Sequence, residues 1–130
     1  MSLIRNSKKV SQSVDFSGIE NGRIHPTDID AVLEFNNDVL ILIEVKELGV
    51  KMETGQRLAY ERICNSWYTG KSVVLYVTHE HRDQNTDIPL NTCRVQGVYY
   101  KGEWKQRNEH LKTTLNKLGK YWNIDKLNFE

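Results

Sequence analysis

An α/β domain built on a mixed sheet is the fold class this sequence predicts, and three observations predict it. Residues 28–35 alternate, with Ile29, Ala31, Leu33 and Phe35 on one face and Asp28, Asp30, Val32 and Glu34 on the other, as a strand's period of two requires. Val39, Leu40, Ile41, Leu42 and Ile43 then form an apolar, β-branched run fit for a central strand covered on both faces. Beyond it, a stripe at helical spacing precedes a second apolar run, Val73 to Val77, so strand, helix and strand make a β-α-β unit with parallel strands.

The elements follow in order. Residues 1–24 show no helical period. Asn36-Asn37-Asp38 is turn chemistry and joins the first two strands as a hairpin. Residues 54–68 read as a helix that Thr54 can cap, with Gln56, Tyr60, Ile63, Cys64 and Trp67 as its stripe. Residues 71–78 are the parallel strand. His79-Glu80-His81-Arg82-Asp83 reads as a solvated loop able to touch nucleic acid, because two histidines at i and i+2 need further ligands to hold zinc. Pro89 keeps residues 83–91 irregular. Residues 92–100 read as a strand that turns at Lys101-Gly102 into Glu103-Trp104-Lys105. Tyr99, Tyr100 and Trp104 could stack on unpaired bases, but packing under a terminal helix is the commoner use of such a group and the expected one. That helix carries Leu111, Leu115, Leu118 and Trp122 on its apolar side and Lys112, Lys117 and Lys120 on its polar side.

Composition narrows the function classes. A chain of 130 residues, 38% hydrophobic and with net charge +1, has the size of one domain with one core, so residues 1–130 are read as a single domain. It has no apolar stretch of about 18 residues, and its polar start is unlike a secretory signal, so a soluble, cytoplasmic protein without a membrane partner is expected. Cys64 and Cys93 form no disulfide framework and no metal-binding spacing, which predicts two reduced core residues. The near-neutral charge argues against a generally basic coat, yet Lys and Arg can still cluster where phosphates must approach.

The chemistry concentrates on the hairpin. Antiparallel partners point to the same face, so loop length decides which side chains meet. A three-residue loop of Asn36, Asn37 and Asp38 sets Phe35 against Val39, Asp30 against Glu44 and Asp28 against Lys46, and the polar groups converge. A two-residue loop at Asn36-Asn37 sets Asp30 against Ile43 and scatters them, unless a bulge restores the register. The three-residue loop is the expected one. Two carboxylates held together raise each other's pKa unless a cation intervenes. Hard oxygen ligands with no His or Cys cluster nearby suit Mg²⁺, with Mn²⁺ as an alternative, and such an ion shares its sphere with a substrate phosphate. Phosphodiester hydrolysis fits that arrangement, with Lys46 positioning water or stabilising negative charge that develops.

Asp30, then Glu44-Val45-Lys46 on the next strand, then Gln56 and Tyr60 on the following helix, resemble the PD-(D/E)xK nuclease superfamily over about half the chain. The resemblance implies a restriction-endonuclease-like central mixed sheet flanked by helices. It also implies metal ligation by Asp30 and Glu44, water handling by Lys46, orientation of water or phosphate by Gln56, and DNA as the substrate, with RNA also open. Asp28, Glu34 and Tyr60 are secondary candidates, and Glu20 is the candidate for the further acidic residue that many members carry upstream. So compact a member looks like small phage or prophage nucleases, and a homodimer would suit paired cuts on two strands.

The tripeptide alone carries little weight. Ten Glu and eleven Lys give about one E-x-K by chance, and the chain has a second, Glu103-Trp104-Lys105. That one lacks a preceding acidic strand and reads as a solvated strand face. The rival to a nuclease is a domain that keeps the fold and binds nucleic acid or a protein partner without cutting.

Overall fold

The computed structural model describes residues 28–130. In chain order these form β1 (Ala31–Phe35), β2 (Val39–Glu47), α1 (Thr54–Ser66), β3 (Ser72–His79), a short 3₁₀ turn (Leu90–Thr92), β4 (Arg94–Tyr100), β5 (Glu103–His110) and α2 (Leu111–Tyr121). The strands make one five-stranded sheet in the order β1-β2-β3-β4-β5. β2 and β3 pair in parallel across α1, and the other neighbours are antiparallel. The expected mixed α/β sheet is present.

The hairpin register is the one that brings Asp30 to Glu44. β1 and β2 pair from Phe35 with Val39 through to Ala31 with Ile43, leaving Asn36, Asn37 and Asp38 between them. Asn36 and Asn37 both take positive φ, 54° and 58°, which short-side-chain amides tolerate and primed hairpin turns demand. The Asp38 N–H closes the turn on the Phe35 carbonyl at 2.9 Å. The loop is then tied to the start of β3: the Asp38 carbonyl accepts from Trp67 Nε1 at 2.8 Å and from Thr69 Oγ1, and Lys71 Nζ meets Asp38 Oδ2 at 3.1 Å.

Two cores cover the sheet. Val39, Ile41 and Ile43 of β2 join Val73, Leu75 and Val77 of β3, Val95 of β4 and Leu111 and Leu115 of α2. Leu40 and Leu42, on the opposite face of β2, meet Val74, Tyr99, Tyr60 and Cys64. β2 is therefore buried on both faces up to Glu44, as its unbroken apolar run demands. Each fully buried aliphatic side chain contributes on the order of 1.5–3 kcal/mol.

Several expectations are corrected. Glu53, extended at ψ 148°, is the N-cap of α1, without a side-chain bond; Thr54 opens the helix, which ends at Ser66. The buried line is Tyr60 and Cys64 at a spacing of four, while Ile63 is 40% exposed because it lies off that line. β4 starts at Arg94, after the 3₁₀ turn that Pro89 leads into. Of the three aromatics expected under the terminal helix, Tyr100 does pack on Trp122, but Tyr99 and Trp104 pack in the core beneath α1. Tyr99 and Trp104 share a face because they pair across β4 and β5, and Tyr100, one residue on, takes the other. Cys64 and Cys93 are free and buried, as expected. Among the described residues no helix is long and apolar enough to cross a membrane.

Candidate functional site

Glu44 is the sixth residue of β2 and the last of its buried stretch. It shares the α1 face with Leu40, Leu42 and Lys46 by strand alternation. β3 runs parallel to β2, so the helix between them runs back over the pair, and its first turn lies above the C-terminal ends of the strands. Gln56 and Tyr60, one turn apart on the inner line of α1, therefore descend on Glu44.

The Glu44 carboxylate is 2% exposed and almost enclosed. The Tyr60 hydroxyl donates to Oε2, Gln56 Nε2 donates to Oε1 at 3.1 Å, and Lys46 Nζ lies 3.5 Å from Oε1. Burial pushes the Glu44 pKa up, opposed by the Tyr60 hydrogen bond and reinforced by the charge of Asp30, while Lys46 pulls it down. The Tyr60 phenol is raised as well, first by burial and then by its bond to Glu44 and that residue's charge. Tyr60 thus acts as a donor that keeps its proton.

Asp30 enters from the other strand of the hairpin. Regular pairing stops at Ala31, and Asp30 Oδ2 accepts the Val45 N–H at 2.8 Å, so a side chain takes over where the ladder ends. That bond fixes the carboxylate beside Glu44 and leaves its second oxygen for another partner.

The secondary candidates fare differently. Tyr60 belongs to the site through Glu44. Glu34 does not: it is four residues along β1 from Asp30, about 14 Å at strand rise, and its carboxylate accepts the Asn37 N–H of the hairpin turn. Sharing a face did not bring it to the same end of the strand. Asp28 is exposed, and Lys46 pairs with Glu44 rather than with it. The register that would oppose Asp28 to Lys46 ends at Ala31, so the expected four-group convergence is reduced to Asp30, Glu44 and Lys46. Glu20 and the reading of residues 1–24 lie outside the described residues.

Other parts of the neighbourhood were not foreseen. Tyr76 pairs with Glu44 in the parallel register, and Gly97 pairs with Tyr76 in turn. With Lys51, Met52, Arg57 and Trp104 they line a hollow of about 320 Å³ over β3 and β4, which Glu44 itself does not line. Tyr76 donates its hydroxyl to the Val50 carbonyl, and Glu61 binds both Arg57 and Trp104 Nε1, so the walls are fixed by their polar ends. Tyr76 sits in a run that otherwise reads as core, and nothing in the sequence gives the parallel offset that brings it to Glu44. The histidine loop is local: His81 N–H donates to His79 Nδ1, and His81 Nε2 lies 2.7 Å from Thr86 Oγ1. Glu103 and Lys105 are exposed on edge strand β5, as the solvated reading of the second E-x-K expects.

The donor set bears on a divalent ion in two ways. Among the described residues no group of three or more His, Cys, Asp or Glu side chains gathers as a metal cage. A Mg²⁺ or Mn²⁺ ion would then rest on two carboxylates, with waters and substrate filling its sphere, which such ions accept. Gln56 Oε1 is buried with no hydrogen-bond partner in the structure. A buried acceptor left unpaired costs about 1–3 kcal/mol, and an ordered water between it and an ion on Glu44 would satisfy it. The residues fit the group.

Comparison of the chain with protein-family models, curated proteins and solved structures gives no match.

Proposed function

We propose that this protein is a divalent-metal-dependent nuclease of restriction-endonuclease-like fold that hydrolyses phosphodiester bonds of DNA. The observation that carries the reading is the hairpin register, which sets Asp30 beside a buried Glu44 whose carboxylate also meets Lys46. A buried carboxylate next to a second one is expensive to ionise without a cation. No apolar packing need explains a glutamate there.

Asp30 and Glu44 would hold the ion. When bound, it supplies neutralisation of phosphate charge and acidifies water. Lys46, partly exposed on the same face, points an ammonium at the position where negative charge would build and stabilises it without reorganisation. Gln56 presents its amide to both sides: Nε2 holds Glu44 in place and Oε1 accepts from a water, which orients that water. Tyr60 keeps Glu44 fixed from beneath. The hollow over β3 and β4, with Lys51 and Arg57 at its walls, would receive the nucleotide next to the scissile bond.

One observation favours a second reading, a domain of the same fold that binds nucleic acid or a protein partner without cutting. Both oxygens of Glu44 already have protein partners, which would stabilise the site with no ion. Incubating linear, circular and branched DNA with the purified protein and Mg²⁺ decides between them. Cleavage by the wild type that is abolished in Glu44→Ala supports the nuclease; no cleavage of any substrate supports the binding domain.

A further inference from the structure

The face of the sheet opposite Glu44 carries a groove of about 450 Å³ between edge strand β5 and α2. Its lining concentrates positive charge in a chain whose net charge is only +1. Lys101, Lys105, Arg107 and Lys117 face one acidic residue of the lining, Glu103. Lys117 is paired with Glu109 at 2.7 Å; Lys101, Lys105 and Arg107 form no ion pair among the described residues. Aromatic rings interleave with these cations: Tyr100 stands edge-on to Tyr121 and Trp122, Lys101 Nζ lies 5.2 Å from the Tyr100 ring centroid, and Tyr121 is 64% exposed.

Packing on the core accounts for Tyr100 and Trp122, and leaves the cations and the exposed Tyr121 ring unexplained. The apolar members of the lining, Val73, Val98 and Leu118, belong to the core or pack on it, whereas Tyr121 offers its ring to solvent. Spaced cations beside an exposed ring suit one polymer better than others, a single nucleic-acid strand, whose phosphates the cations track while an unpaired base stacks on the ring. A duplex hides its base faces and would gain from the charges alone. An acidic peptide would likewise gain from the charges but leave the ring unused.

We propose that the groove between β5 and α2 binds single-stranded nucleic acid, with Lys105 and Arg107 on consecutive phosphates and Tyr121 under a base. The site is separate from Asp30 and Glu44, needs no metal and does not depend on the nuclease reading.

The test is fluorescence anisotropy in EDTA, with a labelled oligothymidylate, a duplex of equal length, an abasic oligonucleotide and polyglutamate. The wild type should bind the oligothymidylate at least tenfold more tightly than the duplex or polyglutamate. The abasic strand should bind about tenfold more weakly, as expected for loss of a stacked base. Lys105→Glu with Arg107→Glu should lose more than tenfold and flatten the salt dependence. Tyr121→Ala, at an exposed position that cannot unfold the core, should lose several-fold while keeping the wild-type salt slope. Cleavage is read in Mg²⁺ and groove binding in EDTA, so failed cleavage and failed groove binding are separable. Preference for the duplex, equal binding of polyglutamate, or unchanged affinity in the charge-reversed protein with a native melting curve would overturn the proposal.

Discussion

At Glu44, burial raises the carboxyl pKa above its ordinary 4.5, so the folded chain holds this proton more tightly than the unfolded chain does. Between 4.5 and the raised value the folded state therefore binds more protons, and stability from this group falls as pH rises through that window. Thermal melts in EDTA should show this fall in wild type, superimposed on other titrations, and Glu44→Gln should lack it. If Glu44 holds Mg²⁺ as proposed, the ion binds the ionised carboxylate, and millimolar Mg²⁺ should restore wild-type stability above the window and leave Glu44→Gln unchanged. Lys46 makes a different prediction. If its ammonium stabilises charge that appears only in the transition state, its loss costs rate rather than affinity. Lys46→Met should bind Mg²⁺ and DNA nearly as wild type does and cut on the order of a hundredfold more slowly; undiminished single-turnover cleavage would remove Lys46 from the chemistry.

Among the elements, the hairpin was the most legible part of the chain. Alternation in residues 28–35 and the amides of the turn gave both the face and the register, because period two and left-handed turn residues are local properties. The same local logic over-reached at Glu34 and Asp28. A shared face says nothing of distance along a strand, and the pairing that would carry Asp28 to Lys46 ends at Ala31. Tyr76 and the hollow around it escaped because they depend on the parallel offset of β2 and β3, which a crossover helix sets and no short pattern encodes. At the far end, α2 is held down by the tail that follows it. A Cβ on Gly119 would collide with the Leu127 carbonyl oxygen and lie 2.7 Å from the Leu127 Cβ. Gly119→Ala should therefore cost about 1–3 kcal/mol in chemical denaturation, while the proposed Mg²⁺ site, on the other side of the sheet, should keep its wild-type affinity.

For the molecule as a whole, the mixed sheet followed from the order of apolar runs, but the distribution of charge across it did not. A net charge of +1 gave no hint that cations gather on the face away from the two carboxylates, since side-chain grouping across strands is a tertiary property. The sheet thus stands between the Asp30–Glu44 pair and the groove lined by Lys101, Lys105, Arg107 and Lys117. The claim on which the functional account turns is that Asp30 and Glu44 form one divalent-ion site. Calorimetric titration of Mn²⁺ and Mg²⁺ into wild type, Asp30→Ala and Glu44→Gln tests it most directly. Saturable binding is expected in wild type, tighter as pH rises past the Glu44 pKa, and lost in both variants; equal binding in all three proteins, or none in wild type, would contradict a shared site.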